Sequence, residues 1–389
     1  MSATADWGRV RHVLEEAVDG RVFPGAALLV ACGDEVLEEI YVGSVEIDGS
    51  AVTAETVYDL SSLTKPLATT ASLLVLTADG RMELERPLAE IYPEFVDLGP
   101  ADERDIRRAI VIEDVLRHRA GLHAVGGFWR RLQEARPEQV GTRDAARVIA
   151  AYAAERPLDY APRSSAVYSD LGFIMLGVAI ERLAETTLDA FTQTRLYEPL
   201  GAAMAYRPLS DERSVKDSAS IAPCGSCDWR GGVVRGAVQD ENAWAMGGVA
   251  GHAGLFGAAR DVHVVIAEFV AASEGRGRVL DRELVCAGWQ WPPRSVSASA
   301  FATTWVLGWD TPTAGASSAG RLISPGSVGQ LGFTGTSVWI DRTRGVHVIL
   351  LTNRLHPDRD NAAIRQLRPV LHDAVFGAVD GLQQTAANT

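Results

Sequence analysis

A serine and a lysine stand three residues apart in the segment Tyr58-Asp-Leu-Ser-Ser62-Leu-Thr-Lys65-Pro. On a helix, residues i and i+3 share a face, so the amine and the hydroxyl fall within hydrogen-bonding reach. Pro66 fits a first helical turn, whose N–H groups are unpaired in any case. Those N–H groups and the positive end of the helix favour a negative oxygen at Ser62 and disfavour a charged amine, which would let Lys65 act as base for a nucleophilic Ser62. The plainer alternative is a serine that only caps the helix. Composition favours the chemical reading. Among the 37 basic residues only Lys65 and Lys216 are lysines, and the rest are arginines. Arginine keeps its proton in a protein, whereas a desolvated lysine can lose it.

A second cluster, Tyr168-Ser-Asp170, precedes a helical pattern that runs to Ala184. A tyrosine between cationic neighbours can have its pKa lowered and serve as general acid or base. Asp170 also suits the N-cap of the helix that follows. The third cluster is Gly329-Gln-Leu-Gly332-Phe-Thr-Gly335. Its small residues would let a ligand approach strand backbone, with an outward N–H as half of an oxyanion hole, although a Gly-rich hairpin or bulge fits equally. His252, in Gly251-His-Ala-Gly, reads as a loop histidine bonded to backbone. Trp229, Trp244, Trp289 and Trp291 read first as packing residues, with lining of a cleft as the alternative.

The elements that must position these groups follow from periodicity. Apolar residues at Val10, Val13, Leu14 and Val18 predict an opening helix ended by Gly20. Strand-like runs Ala26–Ala31 and Val36–Val42 flank the hairpin-like Cys32-Gly-Asp-Glu. Helical patterns dominate from Ser62 to Ala205, including Ser62–Ala78 stopped by Gly80, Thr142–Ala154 capped by Thr142, and Gly172–Ala184. Residues Pro208 to Gly257 read as long loops. Strands return at Ser337–Ile340 and Val346–Leu351, and a last helix covers about Asn361–Phe376, with Gln383–Thr389 frayed. Strands at both ends with helices between them imply an α/β (α+β) fold: an antiparallel sheet flanked by helices, with an inserted all-helical domain. The expected sheet domain is 1–60 plus 245–389, and the helical domain with its long loops is 61–244.

The chain has 389 residues, 47% apolar and 22% charged, which is globular usage. Its apolar runs, such as Gly25–Ala31, are far short of the ~18–20 residues that span a bilayer. A formal charge of -13 opposes nucleic-acid and anionic-membrane partners. Cys32, Cys224, Cys227 and Cys286 provide one C-x-x-C pair, and there is no H-E-x-x-H, so reduced thiols, no metal and no cofactor are expected. The first residues lack a secretory pattern, which implies a cytoplasmic protein. Oligomeric state is not legible.

Taken together, the three clusters resemble those of the penicillin-recognising serine hydrolases, specifically the class C β-lactamase-related branch with its carboxylesterases, D-peptidases and muropeptide amidases. Ser62 and Lys65 match the branch's S-x-x-K motif, Tyr168-Ser-Asp170 its Y-x-N, and Gln330-Leu-Gly332 its K/H-T-G on a strand bordering the site. Leu116–Leu122 resembles the L-L-x-H-x-x-G-L turn, and Gln239–Phe256 the long Gly-rich block. The likeness extends over about residues 5–376.

The resemblance implies a site in the cleft between sheet and helical domains. Ser62 would attack an ester or small amide carbonyl and form an acyl-enzyme, while Lys65 and Tyr168 share the proton transfers. The backbone N–H groups of Ser62 and Phe333 would form the oxyanion hole, Asp170 would bind Lys65 or a polar group of the small-molecule substrate, and Gln330 and Gly332 would bind substrate. Three positions depart from the pattern. Gln330 replaces the cation associated with a substrate carboxylate, Gln239 stands where relatives have histidine, and Cys224-Gly225 stands where Thr-Glu is expected. A neutral third motif weakens β-lactam recognition unless an arginine substitutes. The alternatives are an acyltransferase using the same acyl-enzyme, or a catalytically weak protein that binds peptidoglycan fragments or β-lactams.

Overall fold

The computed structural model describes residues 6–211, 220–290 and 305–387, with side chains to residue 383. Lys216 and Trp291 lie outside the described residues. The opening helix, Trp7–Asp19, starts where the Asp6 carboxylate accepts the Arg9 N–H at 3.0 Å, and it buries Val10, Leu14 and Ala17. Ten strands follow among the described residues: β1 Gly25–Cys32, β2 Glu35–Gly43, β3 Tyr58–Asp59, β4 Ala205–Tyr206, β5 Ser226–Cys227, β6 Gly232–Val233, β7 Leu255–Gly257, β8 Val328–Leu331, β9 Ser337–Asp341 and β10 Val346–Thr352.

The main sheet is antiparallel, in the order β2-β1-β10-β9-β8. The N-terminal hairpin thus pairs with the last strand, Leu28 opposite Leu350. Because side chains alternate across a strand, β1 serves two cores. Ala26, Leu28 and Val30 face the helices Trp7–Asp19 and Ile364–Ala387, whereas Ala27, Leu29 and Ala31 face the helical body. Burial on both faces explains why β1 is an unbroken apolar run rather than an alternating one. The helix Asp170–Ala184 is buried on all sides from Leu171 to Ile180, which marks it as the centre of the helical body. A smaller sheet, β3-β7-β4, joins the two parts.

Four local expectations change. The stretch from Pro208 to Gly257 is not loop throughout, since its described residues include β5, β6, β7 and a short helix at Glu241–Ala245. Thr142 does not cap: its hydroxyl donates to Gln139 O at 2.7 Å, and the helix begins at Asp144. The segment read as one helix from Ser62 is a 3-10 turn at Ser61–Leu63, a π-helical stretch at Lys65–Thr70 and an α-helix at Ala71–Ala78. The last helix runs from Ile364 to Ala387. Val375 and Val379 keep it packed on the sheet, so residues 383–387 remain helical rather than frayed.

Candidate active site

β3 ends at Asp59, and the chain turns sharply into the serine. Ser61 holds φ +50, a left-handed conformation uncommon for a residue with a side chain. Asp59 stabilises that turn. One carboxylate oxygen accepts the Ser61 N–H at 2.8 Å and the other accepts the Gln239 N–H at 2.7 Å. Burial raises the Asp59 carboxyl to about 6, against the lowering effect of those two bonds.

The turn presents Ser62 to a cleft of about 380 Å³ whose lining includes Ser61, Tyr168, Asp170, Asp240 and Arg359. Lys65, buried beneath the serine, places Nζ 3.2 Å from Ser62 Oγ, 3.2 Å from the His252 carbonyl and 2.7 Å from Asp170 Oδ1. Asp170 opens the helix Asp170–Ala184, where the helix dipole favours its charge. On the other side, the Tyr168 hydroxyl donates to Ser62 Oγ at 2.8 Å. The sequence-derived residues Ser62, Lys65, Tyr168 and Asp170 therefore meet in one place.

The protonation states differ from the sequence expectation. Burial pushes the Lys65 ammonium toward losing its proton, but Asp170 and Tyr168 outweigh burial and its pKa is raised. Burial raises Tyr168 as well, and Lys65 only partly offsets it. At rest the site holds an ammonium and a neutral phenol, not the free amine that the helix-dipole argument favours. The Asp170 carboxylate at contact distance is the reason, because a nearby opposite charge outweighs a helix end.

Glycines allow this convergence. A Cβ on Gly251 would lie 2.1 Å from the Phe173 carbonyl, so only glycine lets the 251–253 loop press on the helix Asp170–Ala184 and bring the His252 carbonyl to Lys65. Gly332 is similar, since its Cβ would lie 2.9 Å from the Leu60 carbonyl, which keeps the end of β8 close to the turn that carries Ser62.

The third cluster departs from expectation in two ways. Gln330 is on edge strand β8 and Gly332 directly follows it, but neither is among the residues lining the cleft; Gln330 is buried opposite Val338. The Phe333 N–H, expected to be open, donates to Ser61 Oγ at 3.1 Å. The Ser62 N–H has no acceptor among the described residues. Arginines surround this corner. Arg368 is buried behind the strand and donates to Thr336 O at 2.8 Å, while Arg354 and Arg359 stack on the Phe333 ring at 4.8 and 5.5 Å. Arg359 reaches the cleft wall, where it pairs with Glu241.

His252 is bonded to a carboxylate rather than to backbone, its Nε2 lying 2.8 Å from Asp240 Oδ1. The same oxygen also caps the short helix Glu241–Ala245, which holds Asp240 in place beside the imidazole. Trp229 stacks on Trp129 and meets Trp244 edge-on, and Trp289 packs with Phe269 and Trp309; none lines the cleft.

Sequence reasoning passed over Asp59, His118 and Trp305. His118 is buried, its pKa well below the usual value because of burial and the Lys65 charge, so its Nδ1 accepts the Ser169 N–H at 3.0 Å. Its ring and that of Trp305 pack against Tyr168 at 4.8 and 5.3 Å and fix the phenol. The clue for His118 was present in the turn motif at Leu116–Leu122.

Comparison with known proteins agrees with this geometry. The Beta-lactamase family model matches residues 10–371, and the chain belongs to that family of hydrolases. A Salmonella gallinarum protein named "Putative D-alanyl-D-alanine carboxypeptidase" is 30% identical over 358 residues, covering 86% of this chain and 79% of its own. Among solved structures, EstCE1, a hydrolase with promiscuous acyltransferase activity, superposes with a TM-score of 0.71 at 20% identity, covering 95% of this chain and 98% of its own. Simvastatin synthase from Aspergillus terreus gives 0.71 at 19% identity, covering 96% and 99%. At these identities the two structures establish the fold.

Proposed function

We propose that the protein is a serine hydrolase that forms an acyl-enzyme on Ser62 and cleaves an ester or small amide. The observation carrying this reading is the placement of Ser62 Oγ between the Tyr168 hydroxyl at 2.8 Å and Lys65 Nζ at 3.2 Å, on the wall of an open cleft. Attack on a carbonyl requires Ser62 to give up its proton. With Lys65 and Tyr168 both protonated at rest, the active form is the one that has lost a proton from this pair. Either group can then accept the serine proton and pass it to the leaving group, and the same pair activates water for deacylation.

Arg359 supports a substrate class. Among the described residues lining the cleft it is the guanidinium, held there by Glu241, and a planar guanidinium has further N–H groups with which to bind a second carboxylate. An acyl donor bearing a free carboxylate would therefore pair with Arg359, which takes over the task left by the neutral Gln330. The name of the Salmonella relative, a carboxypeptidase, is consistent with such a substrate. Brief exposure to a fluorophosphonate followed by intact-protein mass spectrometry tests the nucleophile. One adduct on the wild type and none on Ser62→Ala is expected; full turnover by Ser62→Ala would sink the reading. A panel of p-nitrophenyl esters, a chromogenic cephalosporin and a muramyl peptide ending in D-alanyl-D-alanine, each with and without an added alcohol acceptor, sets the substrate class and separates hydrolysis from acyl transfer.

A further inference from the structure

We propose that the Ser61 hydroxyl, polarised by the Phe333 N–H, is the second oxyanion-hole donor of this site; the proposal rests on the acyl-enzyme reading above. Three observations carry it. The Phe333 N–H is already bonded to Ser61 Oγ at 3.1 Å, so it is not available to a substrate oxygen. Ser61 lines the cleft beside Ser62, and its hydroxyl proton has no acceptor among the described residues. The Ser61 backbone is pinned in its left-handed turn by the Asp59 carboxylate, which sets the direction of its side chain.

A hydroxyl has one proton to give and two lone pairs to receive. Here one lone pair is taken by the Phe333 N–H, and the proton remains. A hydroxyl that accepts a hydrogen bond is a stronger donor of its own, because the two bonds polarise each other. Turning Ser61 away to free the N–H would strip a nearly buried hydroxyl of its partner, at a cost in free energy. The relay avoids that cost. Hydroxyl side chains are competent oxyanion donors, and a preorganised one acts without rearrangement at the moment of reaction.

In the step itself, Ser62 Oγ forms a bond to the carbonyl carbon and the carbonyl π pair moves onto oxygen. The Ser62 proton passes to the unprotonated member of the Lys65–Tyr168 pair. The new oxyanion accepts hydrogen bonds from the Ser62 N–H and the Ser61 O–H, and no proton leaves Ser61. On collapse the electron pair returns, the bond to the leaving group breaks, and the leaving group departs with the proton taken from Ser62.

The test compares wild type with Ser61→Ala and Ser61→Gly, the glycine variant being the safer fold at a positive φ. The first readout is the second-order rate of Ser62 labelling by a fluorophosphonate, whose phosphoryl oxygen occupies the same hole. The second is turnover of a p-nitrophenyl ester and its thionoester, because sulfur accepts hydrogen bonds poorly. Both variants should still take one adduct on Ser62. Their labelling rate and oxoester kcat should fall about 10-fold or more, with KM nearly unchanged, toward the ~10²–10³-fold loss typical of a missing donor. The thionoester should lose less, so the oxo-to-thiono ratio contracts. Variants that equal or exceed wild type would overturn the proposal and mark the hydroxyl as an occupant that must leave the hole. Failure of the acyl-enzyme reading would be visible separately, as a wild type that takes no adduct.

Discussion

Asp170 Oδ1 sits 2.7 Å from Lys65 Nζ, and this one ion pair sets how many protons the resting site holds. Lys65 is buried and Asp170 is largely so, which leaves little water to screen them. The carboxylate keeps the lysine charged, so in the proposed mechanism turnover begins from the form that has shed a proton.

The rising limb of kcat/KM against pH should therefore report the Lys65–Tyr168 pair. Asp170 raises both groups, so Asp170→Asn should move the midpoint of that limb to lower pH. A pH profile of ester hydrolysis for the two proteins checks this; an unmoved or upward-moved limb contradicts it. The stability sign is equally defined. With a folded pKa above 10.5, the Lys65 pair stabilises fully below that value and loses its contribution as pH rises through the folded pKa.

Tyr168→Phe removes only the hydroxyl that donates to Ser62, leaving the ring packed on His118 and Trp305. It should cost ~10²–10⁴-fold in kcat, the usual worth of a positioned acid–base group, with an unchanged melting temperature. Steady-state kinetics beside a thermal melt separates chemistry from folding.

Asp59→Asn tests the support of the nucleophile turn. An amide has one acceptor oxygen, so either the Ser61 or the Gln239 N–H loses its partner and labelling of Ser62 should slow. The pH dependence has a defined sign. The folded carboxyl titrates near 6 against 3.8 unfolded, so the native state binds the extra proton in that window. Wild type should lose stability relative to the asparagine variant as pH rises from 3.8 to about 6, with no further change above it. Parallel denaturation at four pH values reads this difference.

Arg359→Ala should raise KM about 10-fold, the effect of ~1.4 kcal/mol, for an acyl donor with a free carboxylate and leave a neutral p-nitrophenyl ester unaffected. Equal effects on both would remove Arg359 from substrate recognition.

Gly251→Ala drives a methyl group into the Phe173 carbonyl and moves the loop that brings the His252 carbonyl to Lys65. Overpacking of this kind costs about 1–3 kcal/mol. Urea unfolding should show a lower midpoint, and activity should drop with it.

Ser62 with Lys65, and Tyr168 with Asp170, were legible as two local pairs because each is a short spacing beside a helix start, which local sequence preserves. β1 and β10 were legible as apolar runs. β8 was less so: Val328–Leu331 is four residues long and half glycine-flanked, and its place at the sheet edge depends on β9 across a turn. Protonation was misjudged because it depends on Asp170, 105 positions away in sequence but in contact with the lysine. The Ser61–Phe333 bond joins residues 272 apart and left no mark on either local pattern.

β1 has β2 on one side and β10 on the other. During synthesis the first hairpin leaves the ribosome with one edge unpaired, and it keeps that edge until Thr352 has emerged. Ser62 and Lys65 are made early, yet Phe333 and β8, which close the site from the far side, arrive only near the end of the chain. A chain cut short before residue 328 would carry the nucleophile and its lysine on an unfinished sheet, with an exposed strand to recruit chaperones or proteases. Assembly of the sheet from both ends thus postpones completion of the cleft until the chain is nearly whole.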